Sequence, residues 1–243
     1  MRALKILAKI VVGLAVILTA AWHYYFPKYH HRYKLIVAVE SDGKVQTGVG
    51  IVDVWAQWQD PARGLAGGNS VSFSIKGRPA IINLGEKGVL LALVEPGVIS
   101  DMNAYIPRPQ SGVNLAFCGY YGKIWDYDLK TSEWLLQARL KSIKNENGRR
   151  ELSSDCYPAF VWLSDPKSRN TAIPLAPGQF GSIPGGTVSL RSVMVEITNE
   201  PFSNEAFELL PWLTELAAYK KQHFTVVSID NFSISAYQIL GGT

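Results

Sequence analysis

Histidine is scarce. The chain has four in 243 residues. His23, His30 and His31 lie near the N-terminus, which leaves His223 alone in the remainder. That removes most zinc centres, which draw on His or clustered Cys. A Ser-His-Asp hydrolase would have to use His223, and no Gly-x-Ser-x-Gly turn supplies its nucleophile. His223 reads as an ordinary residue at a helix end. Cysteine is nearly absent too, with two residues, Cys118 and Cys156. Charged residues make up only 18% against 47% hydrophobic, which excludes a mainly disordered chain. Long apolar runs are also few. Only one stretch is apolar enough to span a bilayer, which excludes a multi-pass membrane protein. No motif names a reaction, a metal or a cofactor, so we expect none of these and lean against an enzyme.

The basic excess is local. The formal net charge is +4. Residues 1–34 hold six of the 24 Lys and Arg and none of the 20 Asp and Glu. The remainder therefore carries 18 cations against 20 acids, a net of −2. Nucleic-acid binding needs a clustered basic face on the folded part, and we expect none.

The one membrane-grade stretch runs from Leu4 to Trp22. Its uncharged part, Ile10 to Trp22, is 13 residues, about 20 Å of helix. Lys9 must snorkel for the helix to span a core of about 30 Å. A cleaved signal peptide has the same basic start, with Thr19 and Ala21 as its small pair. The aromatic run after it favours an uncleaved anchor, because Trp22, Tyr24 and Tyr25 suit the headgroup level. A buried core helix is the third reading. We expect residues 1–3 as a cytoplasmic tail, 4–24 as a transmembrane signal anchor, 25–32 as a juxtamembrane segment and 33–243 as one extracytoplasmic domain. Lys28 and Arg32 join the membrane-interface set. The basic stretch 28–34 either touches anionic lipid or is a solvated linker.

The domain reads as hairpins. Tyr33–Glu40 alternates, Asp42-Gly43 is a two-residue turn, and a second run follows to Trp58. Gly48 and Gly50 inside it predict a bulge or a close backbone approach. Residues 60–70 read as a loop. Strands at 71–75 and 80–84 lead through Gly85–Gly88 to 89–94. Residues 95–112 read as a long loop and 113–118 as a strand. A capped helix is expected at 132–143. A strand at 159–163 precedes a loop at 164–186. The run 188–197 slips phase between Leu190 and Val193, which predicts a bulge. Two short helices follow, the second opened by Pro211, then a hairpin turning near Asp230-Asn231. The fold class is mainly β or α+β: an antiparallel, hairpin-rich sheet or sandwich with about three short helices after one N-terminal helix.

Three constellations carry candidate chemistry. In an oxidising compartment Cys118 and Cys156 form a disulfide; in the cytoplasm they stay as buried thiols. Tyr120, Tyr121, Trp125, Asp126 and Asp128 form an aromatic and acidic stretch that would stack a sugar or peptidoglycan strand; such rings more often pack core edges. Asp126 and Asp128 alone make a weak metal pair without a third ligand. An enzyme, if there is one, would be an acid/base hydrolase using two carboxylates such as Asp126 and Asp155.

Residues 157–166 (YPAFVWLSDP), Leu175-Ala-Pro with Phe180-Gly181, VSLRSVMVEITNEPFS, the LPWL at 210–213, Arg32-Tyr33-Lys34 and the NLG…LLALV of 83–94 follow one order. In that order the chain resembles a group of uncharacterised bacterial proteins with a short N-terminal anchor and a β-rich domain. The resemblance covers most of the chain but 95–156 poorly, and its motifs are turns, strand ends and a helix start. It implies a bacterial envelope context and carries over no catalytic residue; with the N-terminal segment read as an anchor, the expected location is the inner membrane, single-pass. The expected function is a membrane-anchored binding or scaffold module whose partners are the lipid bilayer and envelope proteins or glycan. The alternatives are the carboxylate hydrolase and an accessory subunit of a membrane complex.

Overall fold

The computed structural model describes residues 2–25, 27–58, 71–99, 105–107, 115–122, 133–202, 208–212, 226–229 and 232–235. Helix α1 spans Arg2–Tyr25. Among the described residues, no helix is long and apolar enough to cross a membrane. The side chains described on α1 run from residue 6 to residue 19.

Two antiparallel sheets follow. The first has the order β3-β2-β1-β10-β7, built from β1 (Lys28–Ser41), β2 (Lys44–Trp58), β3 (Val71–Gly77), β7 (Arg150–Glu151) and β10 (Val188–Ile197). The second has the order β4-β5-β8-β9, from β4 (Ala80–Asn83), β5 (Val89–Ile99), β8 (Pro158–Leu163) and β9 (Ala172–Leu175). Strand β6 (Tyr105–Pro107) pairs with β5. A separate hairpin joins β11 (Val226–Ile229) and β12 (Phe232–Ser235). Among the described residues, two short helices, α2 (Leu115–Tyr121) and α3 (Glu133–Ser142), lie between β6 and β7.

The β1–β2 hairpin is the framework. Asp42 and Gly43 both take positive φ, 52° and 75°, the pair of signs that a two-residue turn needs to match strand twist. Every pair outward follows from that turn, to Lys28 opposite Gln57. Strand β10 covers the other edge of β1, from Tyr33 opposite Ile197 to Ser41 opposite Val188. Ala38 pairs with Ser192 but Val39 with Leu190, so Arg191 is the extra residue of a bulge. This is the phase slip between Leu190 and Val193, and Arg191 turns outward to meet Glu40.

The core lies between the sheets. Tyr33, Leu35, Val37 and Val39 of β1 meet Ile82, Leu90, Ala92 and Phe160 of the second sheet in one buried cluster. Each Leu, Val, Ile or Phe side chain among them is worth about 1.5–3 kcal/mol of burial. In β8 all six residues are buried, so that strand is apolar on both faces, as its unbroken PAFVWL run requires. Gly48 and Gly50 resolve as close approach, with no bulge in the β1–β2 register. A Cβ on Gly48 would overlap the Ile81 carbonyl, and one on Gly50 the Arg78 carbonyl. Since both neighbours are backbone, neither can move aside alone. Gly48→Ala is expected to lower stability by about 2 kcal/mol, read as a lower urea midpoint at unchanged slope; an unchanged midpoint would show that the sheets separate freely.

Four sequence expectations change. The span 164–186 is not all loop, because Ala172–Leu175 forms β9 at the edge of the second sheet, where Pro174 is tolerated. Residues 115–121 form helix α2, not a strand at 113–118. The run is too short for periodicity to separate the two, and packing decides: Leu115, Ala116, Phe117 and Cys118, four consecutive residues, are all buried in the core cluster. The span 95–112 is not all loop, because β5 continues to Ile99 and pairs with β6. Pro96 is accommodated where the β5–β8 register shifts. Strand β1 starts at Lys28, so residues 28–32, expected as juxtamembrane linker, belong to the sheet. The 60–70 loop, His223 and most of the two late helices lie outside the described residues.

Candidate functional site

Alternation along β1 sorts its first seven residues. Tyr29, His31 and Tyr33 face inward, while Lys28, His30, Arg32 and Lys34 face outward. On β2 the outward set opposite them is Trp55, Asp53 and Ile51. Asp53 is the focus. It is 4% exposed, and Arg32 grips it with two hydrogen bonds, Nε to Oδ1 at 2.7 Å and Nη2 to Oδ2 at 2.8 Å. His30 Nε2 lies 3.2 Å from Oδ1, and its ring stacks on Trp55 at 4.9 Å between centroids. Burial pushes the Asp53 carboxyl up, but the hydrogen bonds and charge of Arg32, with a smaller share from His30, outweigh it. The carboxyl titrates below its ordinary value. The hydrogen bond to Asp53 raises Arg32 in turn.

The same Arg32 ties down the chain after β10. Its Nη1 donates to the Glu200 carbonyl at 2.9 Å, its own carbonyl accepts from Thr198 N at 3.0 Å, and its guanidinium lies 5.1 Å from the centre of the Phe202 ring. Lys34 pairs with the Glu200 carboxylate at 2.5 Å. The arrangement is a charge clamp that joins β1, β2 and the 198–202 segment. Sequence reading missed Asp53. The signal was present, because counting outward from the Asp42-Gly43 turn places Arg32 directly across from it.

The aromatic stretch divides. Trp125, Asp126 and Asp128 lie outside the described residues. Tyr120 and Tyr121, at the end of α2, pack against the core. Tyr120 Oη donates to the Gly148 carbonyl at 2.5 Å, and Arg150 lies 5.5 Å from its ring centre. Tyr121 Oη donates to Glu146 Oε1 at 2.7 Å, with Arg139 5.0 Å from its ring centre. Burial raises both phenols above their ordinary value. These two rings are posts that hold the turn after α3, and a stacking sugar would have to displace a guanidinium from each. Asp155 is exposed on a one-turn 3-10 helix, Ser154–Cys156, and its proposed partner Asp126 is outside the described residues.

Cys118 and Cys156 are joined, with Cα atoms 6.3 Å apart and both residues buried. The bond links α2 to the turn that leads into β8. Of the membrane-interface set, Trp22, Tyr24 and Tyr25 fall at the end of α1 with side chains outside the described residues, Lys28 is exposed, and Arg32 is the clamp residue. Among the described residues, no group of three His, Cys, Asp or Glu side chains comes together as a metal site. Compared with known proteins, the chain matches no family model, no curated protein and no solved structure.

Proposed function

We propose that this is a single-pass protein of the bacterial inner membrane, held by α1 as an uncleaved anchor, whose β-rich domain lies outside the cytoplasm and serves as a binding or scaffold module for envelope proteins or glycan. The carrying observation is the surface of α1. Ile6, Ile10, Leu14 and Ile17 on one side, Val11 and Leu18 on another and Val12 and Val16 on a third are each 58–68% exposed. A helix apolar on nearly every side, with Lys9 the one charge among residues 6–19, needs an apolar surrounding. By sequence the segment Leu4–Trp22 has 19 residues, about 28 Å of helix, close to a bilayer core. The Cys118–Cys156 bond favours an oxidising compartment. Among the described residues, the charged and aromatic groups singled out are a buried charge clamp and packed tyrosines, whereas an active site needs convergent free groups.

Alkaline carbonate washing of membranes should leave the full chain in the pellet. Protease added to intact spheroplasts should then digest residues beyond about 35. Release into the wash would remove the anchor, and full protection would place the domain in the cytoplasm.

A further inference from the structure

We propose that the outward face at the start of β1, made by Lys28, His30, Trp55 and Lys76, rests on the anionic lipid headgroups of the bilayer that α1 enters. The proposal rests on the anchor reading above. Strand β1 begins at Lys28, and α1 ends at Tyr25. Three residues span at most about 10 Å, roughly one Debye length, so the face starts inside the field of a charged membrane surface.

Alternation and register assemble the face. Lys28 and His30 point outward on β1. Trp55 sits across from His30 on β2, and Lys76 of β3 sits across from Asp53. Trp55 is 38% exposed, an amphipathic ring of the type that settles at headgroup level. Lys28 and Lys76 are exposed. The acids that could cancel them are occupied elsewhere: Asp53 is buried under Arg32, and Glu200 is paired with Lys34. The cations that face solvent are thus left without a neighbouring exposed acid among the described strand partners. A surface of this composition, covalently held at the membrane, suits phosphate-bearing lipid better than a neutral partner. Each exposed Lys near such a surface tightens contact by about fivefold.

The test uses the full chain in lipid nanodiscs, either of phosphatidylcholine alone or of a mixture rich in phosphatidylglycerol. Amine acetylation is followed by mass spectrometry, with Lys44 at the far end of the hairpin as internal reference. In the anionic discs Lys28 and Lys76 should label several-fold more slowly relative to Lys44, and high salt should abolish the difference. Equal relative rates in the two lipids overturn the lipid face while leaving the anchor intact. A chain that does not float with the discs overturns the anchor and the face together.

Discussion

Replacing Cys118 and Cys156 with serine is expected to cost about 4 kcal/mol of stability. The two residues are 38 apart in sequence, and a loop of that size gives this figure from lost chain entropy alone. The structure says why little would compensate. The loop contains the end of α2 and the whole of α3, whose core contacts include Leu136 and Leu140, and the bond fixes α2 to the entry of β8. At about 2–4 °C per kcal/mol for a domain of this size, the melting temperature should fall by about 8–16 °C. Thermal unfolding of the full chain in mild detergent, with and without a reductant, reads this directly. Coincident transitions for reduced and oxidised protein would show that the bond carries no stability.

Asp53→Asn is expected to cost about 3 kcal/mol, because breaking a largely buried ion pair strands the remaining charge. Arg32 would keep its link to the Glu200 carbonyl, but it would face a neutral amide with one acceptor oxygen where it now grips two charged ones. The pH dependence follows from sign. Asp53 has a lowered pKa in the folded chain, so its stabilisation is present above the unfolded value of about 3.9 and is lost as pH falls through the folded value. The gap between wild type and Asp53→Asn should therefore be widest near neutrality and shrink below about pH 4. Arg32→Met combined with Asp53→Leu should recover part of the loss, because it removes both charges at once. A gap that stays constant down to strongly acid pH would mean that the carboxylate charge is not what holds the clamp.

Local rules made much of the framework legible. Asp42-Gly43 set the first hairpin, and the slip between Leu190 and Val193 announced the bulge that sends Arg191 outward. The start of β1 was hidden for a physical reason. In Lys28–Lys34 the outward set is charged, while the inward set is Tyr29, His31 and Tyr33 in place of aliphatic residues, so alternation carries no contrast in hydrophobicity. The clamp was legible only through register: Arg32 and Asp53 are 21 apart in sequence and meet because a turn places them opposite each other. Helix α2 was misread because a short apolar run can be strand or helix until something packs on it. Sequence shows the aromatic density at Tyr120 and Tyr121 but not Arg139 and Arg150, which register and packing bring beside the rings.

Strand β1 also sets an order of events. Its partner on one side, β2, follows directly, but its partner on the other, β10, is among the last strands of the two sheets to be made. At about 5–20 residues per second, the roughly 150 residues between β1 and β10 take on the order of ten seconds to emerge. During that interval the central edge of the first sheet is open, with Leu35, Val37 and Val39 waiting for Val193 and Val195. An open apolar edge is a template for the wrong neighbour. A nascent chain crowded beside others would meet such neighbours at high local concentration, so a holding factor would matter most before residue 197 has emerged.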